Sequence, residues 1–440
     1  MRAWLALSVL AFAATASAAD VNTEYEDARR FQAWVRAQQY PADCSSTVGV
    51  LTRTGSRPDG SEYPGNYFYG LGLGSQMVSL KFNLVRALLQ NRVYHFPTSH
   101  YVNPLRCPSR KFDCYFEPPT NCTLPPPRGA AARPGSAHRA VESDKLVWCS
   151  ELPRKKLSRL AGLAAVHSKA WYHGQLSSFL FRPNAELRAY RESLLPRFET
   201  NRSLSRPAGG GGSSLHGGGC AAMHIRRTDK HKGRRREDPC PAKPFAHFSG
   251  QFKQWAYWES PRPAGQLRVL LGSEDKATFG AIPPLLAPTS VYWVPGSEFV
   301  MKSFKNIIDH NQRLTATYAT LLEKHGHELV RGAAGLAALD AAGARRDEGM
   351  ALVVQIVLMG ECEALFGSFA SNVAILVHDL MHARSVARRE RMGTVDACGR
   401  SYCGCGASFC MKLERRAGRE PRRAMRNMVD AFNGDNRNAI

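Results

Sequence analysis

Several motifs of hydrolytic and metal-dependent enzymes are missing from the 440 residues of the chain. There is no His-Glu-x-x-His motif, which zinc proteases need, and no Gly-x-Ser-x-Gly nucleophile elbow. There is also no Asp-x-Asp pair to hold a divalent cation. After the N-terminal residues, no apolar run reaches the roughly 20 residues that a spanning helix needs. These absences argue against hydrolysis and against a metal site of that type.

Acidic residues are scarce relative to basic ones, with 37 Asp and Glu against 59 Lys and Arg and a net charge of +22. Such an excess alone would favour a polyanion partner such as nucleic acid or sulfated glycan. Much of the excess lies in separate runs at 234–236, 384–391 and 415–426. Charge runs are usually solvated, so we favour a basic surface over a dedicated polyanion site.

The N-terminus has the pattern of a signal peptide. An apolar stretch at 3–14 precedes a small-residue cleavage site at 16–18, which predicts a leader over 1–18. An uncleaved Golgi-type anchor is the alternative, and it is the only membrane contact that we expect. Sequons at Asn121 and Asn201 agree with a lumenal route. We expect a Golgi or secreted protein, which argues against a nucleic-acid partner.

Twelve cysteines in an oxidising compartment are expected to form disulfides, although the sequence does not give their pairing. The last four form a C-x4-C-x-C-x4-C pattern between Cys398 and Cys410. Disulfides are favoured there over a zinc site because of the compartment.

Two low-complexity stretches, 125–137 and 206–219, read as flexible connectors. The second contains four consecutive glycines and precedes a change of pattern, so we place the main boundary there. The predicted organisation is a leader at 1–18, a mainly helical domain at 19–205, a glycine-rich linker at 206–219, an α/β domain at 220–390 and a Cys-rich basic tail at 391–440.

Helical periodicity dominates before the linker, at 77–89, after Pro153 and up to Phe198. Short apolar runs then alternate with helical segments, which predicts a parallel sheet of doubly wound type. Ligands of such sheets bind beyond the carboxyl ends of the strands. The predicted strands are 221–225, 267–272, 291–294 and 364–369, and the predicted helices between and after them are 301–325, 350–359 and 372–383.

Three segments of the chain suit an anion. A glycine loop at 70–76 leads into a helix, a charged cluster at 224–230 follows a strand, and Ser371-Asn372 opens another helix. Each has a plainer interpretation, respectively a tight turn, a surface ion-pair cluster and an N-cap. Together they favour a nucleotide diphosphate, whose charge arginine and amide donors would stabilise without a metal.

Four blocks of the sequence resemble the α1,6-fucosyltransferases and their bacterial chitooligosaccharide relatives. His224-Ile-Arg-Arg-Thr-Asp-Lys is nearly identical to the family's His-Val-Arg-Arg-Thr-Asp-Lys. Residues 70–76 match its Gly-x-Gly-x-Gly-x-Gln loop. Residues 169–186 resemble its Trp-Trp and Ile-Arg-Pro segment, and 363–373 resemble its Asp-Phe-Leu-Val-Cys-Thr-Phe-Ser-Ser-Gln-Val. The blocks occur in family order.

The resemblance implies a GT-B-like α/β fold of two domains, with a Rossmann-type C-terminal donor domain and a mainly helical N-terminal domain. It also implies an inverting fucosyltransferase that uses GDP-fucose and needs neither metal nor cofactor. The expected acceptor is a GlcNAc-containing glycan or glycoprotein, with α1,6 transfer to the N-glycan core. The rivals are a fucosyltransferase for protein O-linked or polysaccharide acceptors and a catalytically silent glycan-binding fold.

The resemblance implies roles for the residues of this chain that match the family's motifs. Arg226 would contact the β-phosphate, with help from the glycine loop and the helix start at 371–372. Asp229 and Lys230 would shape the donor and acceptor site together with His224. The remaining donor-binding residues implied by the resemblance are Gly72, Gly74, Arg227, Asp275, Gln355, Ser371 and Asn372, and Gln355 stands where the family has an aspartate for guanine.

The chain departs from the family at the general base. The family's glutamate lies four residues after the lysine, where this chain has Arg234. A carboxylate is needed to accept the proton of the attacking hydroxyl. We therefore expect Glu237 to be the base, with Asp238 as the alternative. The family's cysteines around the glycine loop and around its Thr-Phe-Ser-Ser turn are replaced by other residues in this sequence. We also expect neither the N-terminal coiled-coil stem nor the C-terminal SH3-like domain of the animal enzymes.

Overall fold

The structure of the protein is a computed structural model. The described residues are 2–44, 50–51, 73–95, 115–122, 152–199, 219–226, 243–258, 260, 267–273, 275, 277–294, 347–390, 392–397, 402 and 404.

The described elements alternate between strands and helices in the second half of the chain, as the sequence predicts. The helices are α1 (Arg2–Gln39), α2 (Leu73–Leu89), α3 (Arg154–Ala161), α4 (Lys169–Leu180), α5 (Ala185–Glu199), α6 (Phe245–Trp258), α7 (Ala277–Leu286), α8 (Asp347–Gly360) and α9 (Asn372–Arg388). The strands are β1 (Val50–Leu51), β2 (Tyr94–His95), β3 (Cys220–Ile225), β4 (Arg268–Ser273), β5 (Ser290–Tyr292), β6 (Ala364–Gly367) and β7 (Gly393–Asp396).

The main sheet has five strands in the order β5-β4-β3-β6-β7, and every neighbouring pair is parallel. The strand of this sheet that comes first in the chain, β3, lies in its centre. The chain then adds β4 and β5 on one side of β3, and afterwards β6 and β7 on the other side. This is the order of a doubly wound sheet, whose switch point lies between its first and fourth strands. The predicted parallel sheet is confirmed, while β7 and the small β1-β2 pair are additions that the pattern did not predict.

Helices cover both faces of the sheet. Because side chains alternate along a strand, Ala221, Met223 and Ile225 of β3 enter a core with α6 and α7, whereas Ala222 enters a core with α8 and α9. All six residues of β3 are buried. A strand buried on both faces reads as an apolar run, which is why the sequence reveals it.

The helical residues of the first half pack on α9. Phe31 of α1 and Trp171 of α4 are fully buried in the same core as Leu376 of α9. At the crossing of α4 and α9, a Cβ on Gly174 would lie 2.9 Å from the backbone oxygen of Asp379. The glycine therefore allows the two helices to approach closely. Ser168 caps α4, since its Oγ accepts a hydrogen bond of 3.1 Å from the amide of Trp171.

Two of the predicted helices differ slightly from their expected starts. The helix α2 begins at Leu73, inside the predicted glycine loop, because Gly74 and Ser75 already have helical backbone. Pro153 is the N-cap of α3 and lies just before its first turn. The predicted helix at 301–325 lies outside the described residues, as does the linker at 206–219. The two-domain division and the tail boundary stay predictions.

Two disulfides, Cys44–Cys122 and Cys220–Cys362, confirm the expected disulfide formation for four of the cysteines and supply the pairing that the sequence did not give. They fit a secreted protein. The predicted cleavage site at 16–18 falls within α1, which runs without a break from Arg2 to Gln39. None of the helices in the described ranges is long and apolar enough to cross a membrane.

Candidate functional site

The switch point of the sheet brings together several of the predicted site residues. The strand β3 ends at Ile225 and is followed by Arg226, while β6 ends at Gly367 and leads through residues 368–371 into α9. A Cβ on Gly367 would lie 3.3 Å from the backbone oxygen of His224, so the two strands are close at this edge. In doubly wound sheets a ligand binds in the crevice that opens here.

The turn 368–371 is held by three backbone amides. The amide of Ser371 donates to the carbonyl of Ser368 at 2.8 Å, and that of Ala370 donates to the Ser368 Oγ at 3.1 Å. The amide of Phe369 donates to Asp396 Oδ1 at 2.7 Å, at the end of β7. The turn is therefore fixed by two hydrogen bonds of its own and by one from the end of β7.

Ser371 occupies the N-cap position of α9 with an extended backbone, as predicted. Its side chain makes no capping hydrogen bond in the described structure. The first amides of a helix need such partners, or a ligand, because they have no acceptor within the helix. The start of α9 is thus suited to an anion.

The start of α2 lies directly against the start of α9. A Cβ on Gly74 would be 2.6 Å from the carbonyl carbon of Asn372 and 2.8 Å from the amide nitrogen of Val373. Asn372 Nδ2 also donates to Ser75 Oγ. A side chain at position 74 would force the helices apart, so glycine is required here. Two helix N-termini, each with a positive partial charge, meet at this point.

Arg226 extends toward the same point. Its guanidinium donates to the carbonyl of Ala370 at 3.4 Å, one residue before the N-cap of α9. The structure therefore gathers Gly74, Arg226, Ser371 and Asn372 at one edge of the sheet. The positive charge of Arg226 and the amides at the start of α9 would together attract an oxyanion such as a phosphate. The other predicted residues of this loop and cluster, namely Gly72, Arg227, Asp229, Lys230, Glu237 and Asp238, lie outside the described residues.

His224 is a buried side chain without a hydrogen-bond partner in the described part of the chain. It is 3% exposed, and neither ring nitrogen has a hydrogen-bond partner among the described residues. Burial, and secondly the charge of Arg226, lower the pKa of His224 to about 4. The ring is therefore neutral near pH 7, with one nitrogen able to donate and the other able to accept. A buried polar group without a partner is costly, which points to a ligand or a bound water.

The ring of His224 lines a small pocket at the carboxyl edge of β3 and β4. Polar groups of the wall come from Ser273 and Gln355, and apolar groups come from the helix α8. The lining residues are His224, Gly272, Ser273, Leu352, Gln355, Ile356, Met359 and Val373. Because Val373 belongs to the first turn of α9, the pocket adjoins the anion-suited helix start.

Gln355 lines the pocket, but its amide is already engaged. Its Oε1 accepts from the amide of Val294 at 2.6 Å, and its Nε2 donates to the carbonyl of Leu271 at 3.1 Å. It is 2% exposed. These contacts give Gln355 a structural part, since they tie α8 to β4 and to the segment after β5. Its contact with a donor base stays a prediction.

Asp275 also has a structural part, at the start of α7. Its Oδ1 accepts from the amide of Ala277 at 3.1 Å, and its carbonyl accepts from the amide of Thr278 at 2.9 Å. Ser273 Oγ joins the ends of the two central strands by donating to the carbonyl of Ile225 at 2.7 Å. Ser273 was missed by the sequence analysis, although a serine at a strand end beside a capping aspartate was a usable signal.

Within the described ranges, no group of three His, Cys, Asp or Glu side chains is placed to hold a metal ion. No protein-family model matches the chain, and no match is found among curated proteins. The function of the site therefore has to be inferred from its geometry and from the resemblance of its motifs.

Proposed function

We propose that the chain is an inverting, metal-independent fucosyltransferase that transfers fucose from GDP-fucose to a GlcNAc-containing glycan, in the first place α1,6 to the N-glycan core. The observation that carries the proposal is the convergence of the starts of α2 and α9 beside Arg226 at the switch point of the sheet. The four motif blocks supply the choice of donor and acceptor.

The diphosphate of the donor would lie at this convergence. When the bond between fucose C1 and the β-phosphate oxygen breaks, its electron pair leaves with GDP, and negative charge grows on the phosphate. The guanidinium of Arg226 and the amides at the start of α9 are fixed donors that meet this charge. Such donors supply the stabilisation that a cation gives in metal-dependent transferases.

The pocket of His224 would receive one polar edge of the nucleotide. The neutral imidazole offers one donor and one acceptor, which suits such an edge. A bound base would satisfy the ring nitrogens that have no partner among the described residues.

The acceptor hydroxyl must lose its proton as its oxygen bonds to C1. We assign the acceptor of that proton to Glu237, with Asp238 as the alternative, because both follow the cluster that begins at His224. Separate Glu237→Gln and Asp238→Asn variants decide between them. Full activity in both variants would move the base elsewhere.

The test is release of GDP from a panel of GDP-sugars by the full chain, with a GlcNAc-terminated core N-glycan as acceptor and EDTA present. We expect acceptor-dependent release from GDP-fucose. Arg226→Ala should lower kcat/KM by about 100-fold, since removal of one oxyanion donor has this size of effect. Arg188→Ala is the control, because Arg188 is exposed and pairs with Glu117. An unchanged rate in Arg226→Ala would contradict the assignment.

A catalytically silent glycan-binding fold is the second candidate. Arg234 at the family's base position is the observation that favours it. GDP binding without turnover of any donor, on N-glycan, O-linked and polysaccharide acceptors alike, would support this candidate. Turnover on one of the latter two acceptors would instead identify a different fucosyltransferase branch.

A further inference from the structure

A buried ion pair joins the helices behind the anion-suited turn. Lys81 of α2 and Asp379 of α9 form a salt bridge, and both side chains are 1% exposed. Ser177 of α4 donates to Asp379 Oδ2 at 2.6 Å, and the hydroxyl of Tyr402 donates to Oδ1. A buried pair is stable only when further hydrogen bonds satisfy its charges. Tyr402, from the predicted tail, supplies one of these hydrogen bonds.

The ring of Tyr402 is also packed between aromatic side chains. It stacks on His378 with ring centroids 4.1 Å apart and planes at 26°, and it meets Phe369 edge-on at 5.4 Å. Gly404 lies close against His173, because a Cβ on it would be 2.1 Å from Cδ2 of that ring, so a side chain does not fit at position 404. Its φ of +72° is also one that glycine adopts readily.

Phe369 connects this packing to the site. It is the second residue of the turn 368–371, its amide is held by Asp396, and the next carbonyl, of Ala370, accepts from Arg226. Phe369 is 5% exposed, and its ring also meets His378 edge-on at 5.3 Å. Tyr402 and His378 therefore support the turn through the ring of Phe369.

We propose that Tyr402 is a positioning residue, whose ring holds Phe369 and thereby fixes the turn 368–371 and the first amides of α9. Tyr402, in the predicted tail, thus acts on anion binding without touching the anion. The effect on donor affinity rests on the proposed function, whereas the effect on the turn does not. The two effects are tested by separate measurements.

The first measurement is hydrogen exchange of the amides at 369–374 in the unliganded full chain. Tyr402→Leu removes the ring and should speed this exchange about three- to tenfold, the range that corresponds to one aromatic pair. Tyr402→Phe keeps the ring and should stay within about twofold of the parent chain. The control is Tyr172→Leu, because Tyr172 is fully buried but bonds Ser158 on the side of α3.

The second measurement is the Kd for GDP. Tyr402→Leu should weaken binding about three- to tenfold, and Tyr402→Phe should restore it. Unchanged exchange at 369–374 in Tyr402→Leu would overturn the proposal, and so would equal acceleration in Tyr172→Leu. If the parent chain binds no GDP, the proposed function fails, while the exchange rates still decide whether Tyr402 positions the turn.

Discussion

Two buried polar side chains of the α8 and α9 side of the sheet differ in how they are satisfied. Asp379 accepts from three donors on separate segments, Lys81, Ser177 and Tyr402. His224 has no partner among the described residues, although it is equally buried. A satisfied group stabilises a fold and specifies its packing, whereas an unsatisfied one lowers stability and is retained for another reason. We therefore interpret Asp379 as structural and retain His224 as a proposed ligand contact.

The strongest test of this contrast is Lys81→Met. It leaves the charge of Asp379 buried without its counter-ion, so we expect the free energy of unfolding to fall by about 3–5 kcal/mol. Urea unfolding measures this loss. The exposed pair of Arg188 and Glu117 is the reference, since Arg188→Met should cost less than about 1 kcal/mol. Equal losses in the two variants would show that the buried pair is not structural.

Gly74→Ala tests the convergence of the two helix starts. The new Cβ would meet the backbone of Asn372 at 2.6 Å, so we expect a loss of about 3 kcal/mol and weaker GDP binding. Gly250→Ala in α6 is the matched control. A Cβ there meets nothing within 4 Å, and alanine should stabilise the helix by about 0.5–1 kcal/mol. A neutral Gly74→Ala variant would contradict the close approach of α2 and α9.

The pH dependence of stability tests the burial of His224. Its pKa is lowered from 6.5 to about 4 on folding, so the unfolded chain takes up its proton first as the pH falls. Stability is unaffected by this group above pH 6.5 and falls by about 1.4 kcal/mol per pH unit below it, or about 2 kcal/mol by pH 5.

The buried histidines His173 and His378 also have lowered pKa values, mainly because of burial, and act in the same direction. Comparison of the parent chain with His224→Leu between pH 6.5 and 5 isolates the share of His224. Parallel stability curves for the two proteins would show that the ring is not held neutral by burial.

The smallest expected change in the free energy of unfolding is also the only stabilising one among the tests of buried polar groups. At pH 7.5, His224→Leu removes an unpartnered polar group, so we expect the free energy of unfolding to rise by about 1 kcal/mol. GDP binding should be lost in the same variant. Thermal unfolding with and without GDP measures both. If His224→Leu is destabilised and still binds GDP, His224 is a structural residue and does not contact the ligand.

The residues at the carboxyl edge of the sheet could be predicted, because their positions depend on local sequence patterns. Buried parallel strands read as apolar runs, and residues that follow them must meet at one edge, which brings Arg226 and Ser371 together. Glycines in the sequence indicate places where the backbone lies close to another group. For Gly74 the predicted group is a phosphate, and in the structure the backbone of Asn372 lies there. In these cases a short stretch of sequence was enough to predict the strand, its end or the close contact.

Long-range polar partners could not be predicted. Lys81 and Asp379 are 298 residues apart, and each alone reads as a surface charge on an amphipathic helix. Asp396 ends a short strand that follows a basic run and shows no clear apolar pattern. The engagement of Gln355 depends on two backbone groups, of Val294 and Leu271, that only the tertiary fold brings near. Such partners need the packed structure.

The disulfide Cys220–Cys362 lies at the opposite end of the two strands that flank the crevice. Cys220 begins β3, and Cys362 precedes β6 by two residues. A covalent bond therefore sets the separation of these strands at their amino ends, independently of whatever happens at their carboxyl ends. Loops after β3 and β6 can change in length or composition without letting the strands part. The strands could therefore keep their positions while changes in these loops alter the ligand that is bound.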